Sequence, residues 1–198
     1  MVTHRDTSSN PSRLQRFGAT LRQYRKQRRL SQPALAARTG IRSSYISQIE
    51  LGKRNIAVLT LLRMTHVLCI PPAWLLAQMD PHATLAPPIT SDPLPSWGTR
   101  EPGVTHDNTF SPQPDDPAIL LTLLGATLRQ YRQQRHLSQR ALAARTGLSP
   151  TYIIEIEQGH RNLSVLNLVR IADALGLAVT DLLAPLDTCQ SPSPPPTE

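Results

Sequence analysis

Aromatic side chains are scarce, with Phe, Tyr and Trp making up 4% of the 198 residues. A core must then be built from Leu, Ile, Val and Ala, a mix that suits packed helices better than a β-sandwich. Cysteine is scarcer still. Cys69 and Cys189 have no CxxC neighbour, which excludes a disulfide framework or a zinc knuckle. The histidines (His4, His66, His82, His106, His136 and His160) are scattered without ligand spacing, so no metal site is expected. Long hydrophobic runs are missing too. The stretch 118–124 is broken by Thr122 and far too short to span a bilayer. The opening MVTHRDTSSNPSR has no apolar segment of the signal-peptide kind. A cytoplasmic protein without membrane contact is the expectation. No Gly-rich phosphate loop, nucleophile elbow or paired-carboxylate motif is present, so neither an enzyme nor a cofactor is expected.

What is there is positive charge and a repeat. The formal net charge is +7, which makes an anionic partner plausible. Shifting the chain by 107 residues aligns GATLRQYRKQRRLSQPALAARTG, from Gly18, with GATLRQYRQQRHLSQRALAARTG, from Gly125. The alignment runs without a gap to Ala77 and Ala184, with 35 identities in 60 positions. Two copies of this length are not a solenoid, so each unit is expected to close its own core.

Between the copies, residues 78–117 hold nine prolines, six acidic side chains and one basic one. Such a stretch cannot offset its ordering entropy and reads as an unstructured linker. The resulting division is a disordered N-terminus at 1–10, a first unit at 11–79, a linker at 80–115, a second unit at 116–184 and a disordered tail at 185–198. Charge follows these boundaries: residues 17–77 are net +9, residues 118–184 net +3, and the linker net −5.

Within the first unit, Phe17, Leu21, Tyr24 and Arg28 fall at helical spacing on a first helix ending near Leu30. Ser31 is an N-cap for a short second helix that Gly40 stops. A third helix is predicted from Ser43 to Leu51, and a fourth from Val58 to Leu68. A fifth begins near Pro72, where a missing N–H costs nothing. The second unit reads alike, with Ser138 as cap and Gly147 and Gly159 as stops. Its first helix should start at Asp116 and Pro117, and it is apolar almost all round at Ile119, Leu120, Leu121, Leu123 and Leu124.

Two short helices joined by a Gly-containing turn make a helix-turn-helix. The string LSQ-x-x-LA-x-x-TG, followed by YI-x-x-IE-x-G-x-RN, resembles the lambda-repressor/Cro-like family, also called the xenobiotic response element family. The resemblance covers both repeats. It implies an all-α fold of two tandem five-helix DNA-binding domains joined by a Pro-rich linker, and a transcriptional regulator; repression is expected over activation because no activation surface can be identified.

The resemblance also implies roles for particular residues. Arg42, Ser43, Ser44, Ser47 and Gln48 would read base edges in the major groove, Gln48 through adenine and Arg42 through guanine or a phosphate. Ser149, Thr151, Ile154 and Glu155 hold the corresponding places, with Ile154 suited to a thymine methyl and Glu155 to cytosine. Gln32 and Gln139 would hold phosphates at the helix N-termini, as would Lys53, Arg54 and Asn55, and His160, Arg161 and Asn162. Arg25 with Glu50, and Arg132 with Glu157, would be structural ion pairs. Tyr24, Tyr45, Tyr131 and Tyr152 are expected to pack.

A 40-residue flexible linker spans roughly 35 Å, and half-sites one turn apart are separated by about 34–36 Å. One chain is therefore expected to act as a covalent pseudo-dimer on double-stranded DNA. Alternatively, the surplus apolar face at 119–124 packs on the first unit or on another chain, giving a homodimer through the second unit while the first reads DNA; a protein-interaction adaptor that uses the helix-turn-helix fold without reading DNA is the other alternative. RNA is the weaker third option for want of aromatic stacking platforms. No small-molecule ligand is expected, since neither unit resembles a ligand-binding domain.

Overall fold

The structure, a computed structural model, describes residues 9–77, 79 and 116–187. The expected linker at 80–115 and most of both expected disordered termini lie outside the described residues. The first unit comprises α1 (Ser9–Gln27), α2 (Gln32–Thr39), α3 (Ser43–Glu50), α4 (Val58–Leu68) and α5 (Pro72–Ala77). The second comprises α6 (Pro117–Gln134), α7 (Gln139–Thr146), α8 (Pro150–Glu157), α9 (Val165–Leu175) and α10 (Val179–Asp187). Among the described residues there is no strand, only an isolated bridge between Ala57 and Ser164. No helix among them is long and apolar enough to cross a membrane.

The short helices start where sequence chemistry says they must. The Ser31 and Ser138 hydroxyls accept from the backbone N–H groups of Ala34 and Ala141, satisfying donors that the first turn leaves unpaired. Asp116 caps α6 through the N–H of Ala118, with Pro117 following. α10 runs past the expected boundary at 184 and takes in Pro185. The proline removes one backbone hydrogen bond, but Leu186 is fully buried one residue later, and that contact holds the last turn.

The expectation of two closed cores is corrected. Buried side chains of both units form one continuous cluster. α5 packs against α10, and Leu75, Leu76, Met79, Leu182 and Leu183 are wholly buried. The reason is size. A chain of about 60 residues buries only roughly 60% of its surface by itself, and the short last helix of each unit carries more leucine than four small helices can cover.

The contacts between the units come in exchanged pairs. Val58 N–H donates to the Leu163 carbonyl at 2.9 Å, and its counterpart Val165 donates to Ile56 at 2.8 Å. Leu59 N–H donates to the Asn162 side chain, and Leu166 N–H to that of Asn55, each at 3.3 Å. Each contact maps on the other by the 107-residue shift, so the units are related by an approximate two-fold, as in an isologous dimer. The chain is a dimer folded within itself. Packing, rather than linker reach, therefore sets the separation of the units. α6 contributes to the same seam, with Pro117 and Leu120 facing Leu59, Leu62 and Val67 across a cavity.

Candidate nucleic-acid interface

α3 is amphipathic at close range. Ile46 and Ile49 are completely buried, while Arg42 and Ser44 are exposed and Ser43, Ser47 and Gln48 half-exposed. The base-reading residues expected from sequence thus share the outer stripe, with Lys53 and Arg54 exposed just beyond it. Arg42 stands at the N-cap of α3 and makes no side-chain cap bond. Arg54 Nε donates to Gln48 Oε1 at 2.7 Å. A guanidinium only donates, so Gln48 accepts here through one of the two lone pairs on its amide oxygen, which does not by itself remove the adenine pairing expected for it.

Behind the stripe lies a buried charge network. Arg25 Nε and Nη2 donate to the two oxygens of Glu50 at 2.5 and 3.0 Å, and Arg25 Nη1 donates to the Leu30 carbonyl at 2.7 Å. Gln32 Nε2 donates to Glu50 Oε2 at 2.8 Å. Burial alone would raise the Glu50 carboxyl, but the hydrogen bonds from Arg25 and Gln32 and the charges of Arg25 and Arg22 together hold it below the ordinary carboxylate range. The hydrogen bonds to Glu50 likewise raise Arg25 above its already high value, against the effect of burial. Gln32 thus spends one of its two amide hydrogens on Glu50. The network ties α1, α2 and α3 into one piece.

The second unit repeats the network and changes the stripe. Arg132 binds Glu157 at 2.5 and 2.9 Å, and Gln139 donates to Glu157 at 2.9 Å. Outside, Ser149 and Thr151 are exposed and Ile154 is 36% exposed. Ser149 caps α8 through the N–H of Tyr152. Glu155 pairs with Arg161 at 3.4 Å, and that guanidinium also lies 5.5 Å from the centre of the Tyr152 ring. The Tyr152 hydroxyl accepts from Asn167. Arg161 is therefore paired with a carboxylate, whereas Arg54 is held by the neutral amide of Gln48.

Asn55 and Asn162, expected beside phosphates, commit their amide oxygens to the opposite unit, capping α9 and α4. No signal in one repeat marks this, because the acceptor and donor lie 103 and 111 residues apart. Sequence reading also missed Gly18 and Gly125. A Cβ on either would lie within 2.4 Å of the α3 or α8 backbone carbonyls of Ile49 and Ile156. Only glycine lets α1 and α6 approach the recognition helices so closely. The identity of both residues inside GATLRQYR was the available clue. Among the described residues, no group of His, Cys, Asp and Glu is placed to hold a metal.

The helix-turn-helix profile HTH_3 matches residues 21–75 and again residues 128–182, together more than half of the sequence. The chain belongs to the helix-turn-helix family. Both matches fall within the two units, so this helix-turn-helix protein carries the domain twice in tandem. It is similar to the uncharacterized HTH-type transcriptional regulator y4dJ of Sinorhizobium fredii, 35% identical over 65 residues that cover 33% of this chain and 84% of that protein. Control protein C.BamHI of Bacillus amyloliquefaciens is 44% identical over 62 residues, 31% of this chain and 76% of its own length. Among solved structures, the restriction-modification controller protein C.AhdI from Aeromonas hydrophila aligns at 37% identity with a TM-score of 0.31, covering 31% of this chain and 94% of that one. Each alignment spans about the length of one helix-turn-helix unit.

Proposed function

We propose that this chain binds double-stranded DNA sequence-specifically as a covalent pseudo-dimer and represses transcription by occupying its site. The observation that carries the reading is the outer stripe of α3, polar and flanked by Arg42, Lys53 and Arg54, set on a helix whose other side is sealed in the core. Docked back to back by α5 and α10, the units present two such helices from one chain. The two stripes differ. Gln48 offers an amide suited to adenine, and Glu155 an acceptor suited to the cytosine amino group. The operator is accordingly two unlike half-sites. The second unit, with Arg161 drawn to Glu155, grips its half-site less firmly than the first.

The experiment is selection from random duplexes, repeated with Gln48→Ala and Glu155→Ala. Each variant is expected to relax one base pair in a different half-site, at a cost of about 1–3 kcal/mol in discrimination. Footprints showing a single perfect palindrome would remove the unlike half-sites. Affinity for duplex should fall steeply with salt as phosphates release their counterions. A flat salt dependence would instead support the adaptor reading. The homodimer through the second unit would use the apolar face at 119–124, of which Leu124 is buried and Leu120 lines the seam with the first unit. A reporter silenced by the wild-type chain, and released by Gln48→Ala, is the expected sign of repression.

A further inference from the structure

Each recognition helix is followed by an arginine that turns back onto it. In the first unit, Arg54 donates from Nε to Gln48 Oε1 at 2.7 Å. In the second, Arg161 Nη1 stands 3.4 Å from Glu155 Oε2. The 107-residue shift maps Arg54 on Arg161 and Gln48 on Glu155. The same course of the chain therefore brings the two together whether the acceptor is an amide or a carboxylate. A glycine at positive φ reverses the chain between them, Gly52 at 68° and Gly159 at 74°. The Arg161 guanidinium is braced further by the Tyr152 ring, whose hydroxyl accepts from Asn167.

We propose that Arg54 and Arg161 are positioning residues, each holding the base-reading side chain of its own unit in one orientation toward the duplex. The proposal rests on the reading of Gln48 and Glu155 as base contacts. A glutamine or glutamate on a helix surface has several rotamers. Fixing one before the duplex arrives removes an ordering cost from binding and sets which base edge is met. Arg54 takes one lone pair of the Gln48 oxygen, which leaves the second lone pair and the amide hydrogens for the two-bond match with adenine. That bond uses Nε, so a phosphate would be met by the terminal nitrogens of the same guanidinium. For Glu155 the charge of the arginine counts as well. A carboxylate by itself is repelled by the phosphate backbone, and the Arg161 cation offsets that repulsion while lone pairs are left for the cytosine amino group.

The test joins a measurement on the free full-length chain to one on DNA, so that failure of base reading and failure of positioning are told apart. In the free chain, nuclear relaxation of the side-chain amide should show Gln48 ordered in the wild type and in Lys53→Ala, and mobile in Arg54→Ala. An amide as mobile in the wild type as in Arg54→Ala would overturn the proposal whatever happens on DNA. Selection from random duplexes follows. Arg54→Ala should cut discrimination at the base pair read by Gln48 by about fivefold or more, and Arg161→Ala should do the same at the pair read by Glu155. Lys53→Ala should weaken all duplexes alike and lower the salt slope by about one, with base preference intact. Arg54→Lys keeps the charge but has a single nitrogen for two partners, so the salt slope should hold while base preference falls. An unchanged base preference, with affinity lowered evenly across sequences, would make the arginine of that unit a plain phosphate contact and overturn the proposal there. A wild-type chain that selects no sequence would remove base reading itself, and the amide measurement would still decide whether Arg54 holds Gln48.

Discussion

Comparing the two units position by position, the second is the better-made set of helices and the first the better-charged surface. α8 is capped by Ser149 and α9 by Ser164, whereas Arg42 and Ala57 stand at those places and cap neither α3 nor α4. α9 ends on Gly176 with φ 65°, whereas α4 ends on Cys69 held at φ 50°. Meanwhile residues 17–77 are net +9 and residues 118–184 net +3. The two properties compete at one of these positions, where Arg42 stands against Ser149. A serine at the N-cap satisfies a backbone donor, and an arginine there projects a cation beside the outer stripe. What the units do not vary is the buried network of arginine, glutamate and glutamine, because any change there leaves a charge alone inside.

The largest effect should come from that shared network. Glu50→Ala leaves Arg25 buried without its partner and is expected to cost about 3–5 kcal/mol, and Glu157→Ala a similar amount. With one core, either variant should lower a single melting transition, and two separate transitions would show that the units fold independently. The pH dependence has a definite sign. Glu50 titrates lower when folded, so its contribution is complete above the ordinary carboxylate value of about 4.3 and is lost as pH falls through the folded value. Glu50→Gln should flatten that part of the acid limb in urea melts.

Next in size are the close approaches. Gly18→Ala and Gly125→Ala each force a methyl group into a carbonyl of the facing helix, at an expected cost of at least about 1–3 kcal/mol. Denaturant midpoints check it, and unequal losses would show that one unit accommodates the added methyl better than the other.

The competition between cap and charge is tested by Arg42→Ser. It should stabilise the first unit by about 1 kcal/mol while weakening duplex binding and lowering the salt slope by about one phosphate. Unchanged stability would sever the link drawn between α3 and α8. The smallest effect belongs to Cys69→Gly, which relieves a left-handed residue and should stabilise by about 0.5–1 kcal/mol in thermal melts, with no counterpart gain available at Gly176.

Much of this was legible in the residues. Ser31, Ser138 and Asp116 announce helix starts through local bonds to the next turn, and leucine spacing marks the sides that turn inward, so the ten helices follow from short-range chemistry. The outer stripe of α3 was legible for the same reason. Gln48 was less legible, because its contact with Arg54 needs a residue beyond the helix to fold back onto it.

The chain order therefore determined the helices, the duplication and the uneven charge, since each rests on contacts within a few residues or on simple composition. Only the tertiary structure decided that the two cores are one, that Asn55 and Asn162 cap each other's units, and that Arg13 of one unit meets Asp173 of the other. Those outcomes need groups more than 100 residues apart to meet. Such encounters are set by which surfaces remain uncovered once the helices have formed.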